Sequence, residues 1–162
     1  MASLKRNDRG FTIVELVAVI VVIIVMTSLL ITAYSGIQTH QRNTQRTNDL
    51  KLFQDKLETY FETNANSHYP SAADINNQPA NGTWWIQTNM KGLSKQTIRD
   101  PSSKSYRVLT SVPKKAGVGY VYQPVQSDGT TSCESNDTTC ASYTLTAIPE
   151  GGGPDIVLKS LN

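Results

Sequence analysis

The side chains able to do chemistry in this sequence are few, and the most unusual of them is one acid. Glu15 is the only charged residue in an otherwise almost wholly apolar run from Phe11 to Ile31. An ionised carboxylate near the centre of a bilayer costs about 3 kcal/mol on insertion scales, and less near the interface. A buried charge of this kind calls for a partner. The other reactive pair is Cys133 and Cys140, both in the polar C-terminal half. An even cysteine count in a translocated domain points to a disulfide; two free thiols are the alternative. Closing so short a loop stabilises by about 2–3 kcal/mol in the chain-entropy model. Two cysteines alone fall short of a four-ligand zinc site, and His40 and His68 lie far off in sequence. No nucleophile, base or metal-ligand spacing forms a catalytic constellation, so the sequence reads as that of a non-enzyme without a cofactor.

The element that must position Glu15 is a helix. A run of this length can cross a bilayer core, which takes about 20 residues. Three readings compete: a cleaved secretory signal, a permanent anchor, or an anchor that later leaves the membrane. A secretory segment would carry no acid and would end in a small-residue cleavage site, for which Thr32-Ala33-Tyr34-Ser35-Gly36 is a weak match. Lys5, Arg6 and Arg9 precede the run, which keeps that end cytoplasmic. Without residues 1–10 the 15 bases and 13 acids fall by three and one, to 12 and 12. A neutral body offers no electrostatic argument for nucleic-acid binding.

Lys5-Arg6-Asn7-Asp8-Arg9-Gly10-Phe11-Thr12-Ile13-Val14-Glu15-Leu16 resembles the class III signal of type IV prepilins and pseudopilins. That signal is a short basic leader ending in Gly, followed by an aromatic residue, Thr, two apolar residues, Glu and Leu. The resemblance implies cleavage after Gly10 by a membrane prepilin peptidase and N-methylation of Phe11. It makes Phe11, Thr12 and Glu15 the assembly residues, with the Glu15 carboxylate paired to the Phe11 amine of a neighbouring subunit. It also implies a helical homopolymer as the main partner, with an assembly ATPase, an inner-membrane platform protein and minor pilins. The chain would be a single-pass plasma-membrane protein first and an extracellular filament afterwards. One departure stands out, because many pilins carry a proline about twenty residues into the mature helix. No proline lies between residues 11 and 69 here, and Thr32, Ser35 and Gly36 are the weak points where the helix could melt in a filament.

Beyond the run, Leu50, Phe53, Leu57, Tyr60 and Phe61 recur at three- and four-residue steps, which puts them on one helix face. Asp49, Lys51, Asp55, Lys56, Glu58 and Glu62 are expected on the rest. One helix is expected from Phe11 to Thr63, about 75–80 Å long at 1.5 Å per residue. Pro70 biases Tyr69 away from helical geometry, and His68-Tyr69-Pro70-Ser71 resembles the turn that follows the helix in such proteins. Residues 71–105 read as polar connecting chain with turns at Gln78-Pro79, Asn81-Gly82 and Asp100-Pro101, and a short helix near Lys95–Ile98. Tyr106–Leu109, Gly119–Gln123, Ser142–Ile148 and Asp155–Lys159 read as strands, with Tyr120 and Tyr122 on one face and Tyr143, Leu145 and Ala147 on another. The expected fold class is α+β: a long N-terminal helix packed against a small antiparallel sheet of three to four strands. The expected parts are a leader (1–10), a hydrophobic assembly helix (11–36), its amphipathic continuation (37–63), a connecting region (64–105) and the sheet with its cysteine loop (106–162).

Three surface features are candidates for binding. Trp84-Trp85, read as strand neighbours on opposite faces, could present one ring to a ligand. Lys114-Lys115 reads as a solvated loop tip. Asp128, Glu134 and Asp137 fall in or beside the cysteine loop, where calcium could find oxygens, although the spacing matches no defined pattern. Asn81-Gly82-Thr83 and Asn136-Asp137-Thr138 fit the glycosylation sequon. The function expected is a major subunit of a type IV pilus serving adhesion, twitching motility or DNA uptake. A pseudopilin of a secretion or competence machine is the alternative, and a fixed single-pass receptor is a reading of another class.

Overall fold

The absence of proline from residues 11–69 lets one helix, α1, run unbroken over Ile13–Thr63 in the computed structural model. That structure describes residues 10–77, 84–103, 108–134 and 140–162, apart from the side chains of residues 30–33. The leader bases Lys5, Arg6 and Arg9, the turns at Gln78-Pro79 and Asn81-Gly82, both sequons, Asp137 and the first half of the Tyr106–Leu109 segment lie outside the described residues. The chain divides into two compact units, Met1–Gln38 and Thr39–Asn162.

In the first unit α1 begins two residues later than the periodicity predicts, because Thr12 caps it instead of joining it. Backbone helix continues through Thr32–Gly36. Hydroxyls inside the apolar stretch are satisfied within the helix: Thr27 Oγ1 donates to the Ile23 and Ile24 carbonyls (2.8 and 3.0 Å), and Ser28 Oγ to that of Val25 (2.7 Å).

The second unit is built as the apolar spacing predicts. Leu50, Phe53 and Leu57 are fully buried, with Tyr60 and Phe61 packed at the margin. They lie under a sheet of three antiparallel strands in the order β1 (Val121–Gln126), β2 (Cys140–Ala147), β3 (Ile156–Lys159). Tyr122 pairs with Leu145, and Leu145 with Leu158, so alternate side chains turn onto the helix. Tyr122, Tyr143, Leu145 and Ala147 all enter the core, and the Phe53 and Tyr122 rings sit 5.8 Å apart. Pro124 is tolerated because β1 is an edge strand. Leu109 adds one parallel bridge to Val121, which is all of the expected fourth strand among the described residues. The fold class is thus α+β.

The connecting region departs from expectation. Residues 95–98 form turns, with i to i+3 bonds such as Thr97 N–H to the Ser94 carbonyl (3.1 Å), in place of a helix. Two short helices appear instead, α2 (Ala72–Asn76) and α3 (Trp85–Asn89). Ser71 and Asp74 close a capping box on α2, a Ser-x-x-Asp signal that explains so short a helix. Its buried Ala72 and Ile75 tie it to the core.

Cys133 and Cys140 form a disulfide with Cα atoms 5.9 Å apart. The bridge also anchors the chain after α1: Tyr69 N–H donates to the Cys140 carbonyl (2.9 Å) and Ala72 N–H to that of Cys133 (3.3 Å). Replacing both cysteines by serine in the full chain, held in detergent, is expected to cost about 2–3 kcal/mol on the loop-entropy argument. The readout is the thermal midpoint, and an unchanged value would show that the bridge stabilises nothing.

Candidate functional site

The residues picked out by chemistry at the N-terminus do come together. Thr12 and Glu15 close a reciprocal capping box at the start of α1. Thr12 donates to Glu15 Oε2 from its backbone N–H (2.9 Å) and from its hydroxyl (2.7 Å). Glu15 N–H donates back to Thr12 Oγ1 (3.3 Å), and Leu16 N–H reaches the Thr12 carbonyl (3.2 Å). Orphan donors of the first turn are thereby satisfied, and a carboxylate sits at the positive end of the helix dipole. The Thr-x-x-Glu spacing before an apolar run carried this signal, and reading Glu15 for its charge alone missed it. Both Thr12 donors fall on Oε2; among the described residues Oε1 has no donor.

Gly10 and Phe11 precede the helix, Phe11 is 89 % exposed, and among the described residues nothing lies within 4 Å of where a Cβ on Gly10 would stand. The described residues therefore make no steric demand for glycine at this position. Beyond the cap, every large apolar residue from Ile13 to Leu29 is at least 47 % exposed. An 18-residue window of α1 has a mean hydropathy of 3.0, long and apolar enough to cross a membrane. A helix apolar on all sides must be covered by lipid or by other helices.

The second unit holds two polar clusters that the sequence did not disclose. Glu58, expected on the solvated face, is buried and accepts four hydrogen bonds. They come from Tyr69 Oη (2.7 Å), Tyr143 Oη (2.6 Å), Leu161 N–H (3.2 Å) and Asn162 Nδ2 (3.0 Å). Burial, then the adjoining Glu58 carboxylate, pushes the Tyr69 phenol up to about 12. The acid thus ties the last residues of the chain to α1. Asp49, also expected outside, is half-buried and accepts a bond from Tyr120 Oη (2.8 Å).

In the other cluster the fully buried Arg46 makes a two-point contact with buried Asp100: Nε to Oδ2 at 2.7 Å and Nη2 to Oδ1 at 2.9 Å. Arg46 also reaches Asn43 Oδ1 (2.7 Å), Ser102 Oγ (3.1 Å) and Glu150 Oε1 (2.6 Å). Glu150 is further held by Arg42 and by the Ser102 hydroxyl. Arg42 above all keeps the Glu150 carboxyl down at about 2. This is a structural clasp, since each charge in it has a partner inside the fold.

The remaining candidates scatter. Trp84 is buried as the residue before α3, with Lys95 Nζ 4.9 Å from its ring centroid, and is not part of a strand. Trp85 opens α3 and is half-buried 5.2 Å from the Tyr60 ring. Lys114 and Lys115 are exposed. His40 is exposed on α1, and His68 is half-buried beside Tyr60. The Asp128 carboxylate is taken up by the Thr130 and Thr131 N–H groups (2.9 and 2.8 Å) of its own turn. Among the described residues no three His, Cys, Asp or Glu side chains converge as a metal site.

Comparison with protein-family models, curated proteins and solved structures yields no match.

Proposed function

We propose that this chain is a prepilin of the type IV pilin and pseudopilin family, and a structural subunit, not an enzyme. It would lie in the plasma membrane with its leader cytoplasmic, be cut after Gly10 and N-methylated at Phe11, and then pack into an extracellular filament of its own copies. The observation that carries this reading is an exposed Gly10-Phe11 bond set directly before a capped helix that has no cover for its apolar surface. No described residue requires glycine at 10, and a residue without a Cβ suits a site where something outside, such as a peptidase cleft, approaches the backbone closely. Lipid covers the apolar residues before assembly, and the same helix of neighbouring copies covers them afterwards. Glu15 keeps one carboxylate oxygen for a donor from outside, and the amine created at Phe11 of a neighbour is such a donor. An assembly ATPase, a platform protein and minor pilins are the partners this role requires, and the filament would serve adhesion, motility or DNA uptake. Long surface fibres containing the chain would distinguish a pilin from a pseudopilin of a secretion or competence machine.

Mass spectrometry of the purified chain provides the test. The expected N-terminus is Phe11 bearing one methyl group. A chain starting at Met1 would instead mark a fixed anchor, and a cut well beyond Met26 a secreted soluble protein; either result rejects the proposal.

A further inference from the structure

A groove between α1 and the end of α3 belongs to neither of the polar clusters described above. It holds about 330 Å³, within the range of about 300–1,000 Å³ usual for small-ligand clefts. Lys56, Thr59, Tyr60 and Thr63 of α1 line one side, at the three- and four-residue steps of a helix face. Asn89 and Lys91 line the other. Buried Met90 anchors that second side, and Gly92, at φ +89°, turns the chain after it against α1. A Cβ on Gly92 would stand 3.6 Å from Lys56 Cε, so the fold brings the two lysines to one groove.

The hydrogen-bonding capacity left there is selective. Thr59 spends its hydroxyl proton on the Asp55 carbonyl (2.8 Å) and Thr63 on the Thr59 carbonyl (2.8 Å). Each threonine therefore keeps only acceptor oxygen for a ligand. Asn89 Nδ2 donates to the Trp85 carbonyl (2.9 Å), which leaves its Oδ1 and one N–H. Lys56 and Lys91 add two ammonium groups, and among the described residues no acid lines the groove. Asp55 stands 3.4 Å from Lys56 Nζ but is itself exposed, so that pair is weak and screened by water. The Tyr60 ring, held 5.2 Å from that of Trp85, supplies a fixed aromatic flank.

We propose that this groove binds an acidic saccharide. Sugar carboxylates meet Lys56 and Lys91, sugar hydroxyls donate to Thr59, Thr63 and Asn89, and the C–H face of a ring lies on Tyr60. Neither half of this chemistry suffices alone. A simple anion leaves the threonine oxygens unused, and a neutral sugar leaves both ammonium groups unmatched. The inference stands apart from the filament reading, because every residue in it belongs to the Thr39–Asn162 unit.

Titration of the full-length chain, in an uncharged and sugar-free detergent, with digalacturonic acid tests it. The readout is the fluorescence of the two tryptophans, since Trp85 neighbours Tyr60. Galactobiose lacks the carboxylates, and succinate carries two of them without hydroxyls; each is expected to bind about tenfold more weakly or worse. Lys56→Gln with Lys91→Gln is expected to lower digalacturonate affinity about tenfold and to leave galactobiose unaffected. Thr63→Val, which removes one acceptor, is expected to lower it about fivefold. Lys114→Gln with Lys115→Gln removes the same charge elsewhere and is expected to change nothing. Unshifted thermal midpoints show that the variants fold, and the comparison of the three ligands needs no variant at all. Absence of saturation by about 10 mM digalacturonate would overturn the proposal. Equal binding of succinate would overturn it too, as adventitious attraction of anions only, and equal binding of galactobiose would leave the lysines without a role. Unchanged affinity in the Lys56 and Lys91 variant, or an equal loss in the Lys114 and Lys115 variant, would place the binding elsewhere and reject the site.

Discussion

Replacing Arg46 by alanine is expected to destabilise the Thr39–Asn162 unit by about 3–5 kcal/mol, because removing one partner of a buried pair leaves the other charge uncompensated. Asp100 is 1 % exposed and would lose both guanidinium bonds. Asn43, Ser102 and Glu150 would each lose a donor at the same time. The loss is a property of the broken pair and not of the pair's net worth. Arg46→Met combined with Asp100→Leu, which removes both charges, is therefore expected to recover much of it. Denaturant melts of the full chain in detergent read both values. A loss below about 1 kcal/mol for Arg46→Ala, the range of exposed pairs, would show that the clasp is solvated in practice. The clasp also makes part of the stability acid-sensitive. Glu150, with its carboxyl held at about 2 against an ordinary 4.5, contributes stability that is fully present above pH 4.5 and is lost as pH falls toward 2. Stability between pH 4.5 and 2 should accordingly fall less steeply in Glu150→Gln.

What could be read in the sequence was whatever repeats locally. Leu50, Phe53 and Leu57 announce their shared face by spacing, and the alternation around Tyr122 and Tyr143 announces strands. Glu58 was misplaced because a charge on an amphipathic helix is ordinarily solvated. What buries it are two tyrosines 11 and 85 residues away and the chain's own end, a coincidence that only the tertiary fold creates. Arg46 and Asp100 stand 54 residues apart and give no local sign of each other. The Trp84-Trp85 pair was read as strand neighbours on opposite faces, yet Trp85 N–H donates to the Asn77 carbonyl and Trp85 opens a short helix, a pairing set by the fold and not by local spacing. The N-terminal cap is the opposite case. Thr12 and Glu15 are three residues apart, and their bond was fully legible.

That cap divides two explanations of Glu15, and three substitutions separate them. Glu15→Ala removes both the charge and the glutamate half of the box, and the proposed pairing predicts that it inserts and is processed but yields at least about tenfold fewer fibres, equivalent to about 1.4 kcal/mol per subunit added. Glu15→Gln keeps an acceptor able to serve the Thr12 N–H, since Gln substitutes for Glu in capping boxes, but it cannot neutralise an amine. Thr12→Ala does the reverse: the carboxylate stays, while the helix loses a cap worth about 1 kcal/mol. If the charge matters for assembly, Gln fails as Ala does, and Thr12→Ala assembles. If the cap alone matters, Glu15→Gln assembles like the parent chain and Thr12→Ala is impaired, and the pairing role must be abandoned. Fibre yield from sheared cells, normalised to processed subunit in the membrane, is the measurement. Glu15→Gln is the deciding variant, because it keeps a cap acceptor and gives up both the amine partner and the smaller gain that a carboxylate draws from the positive end of the helix dipole.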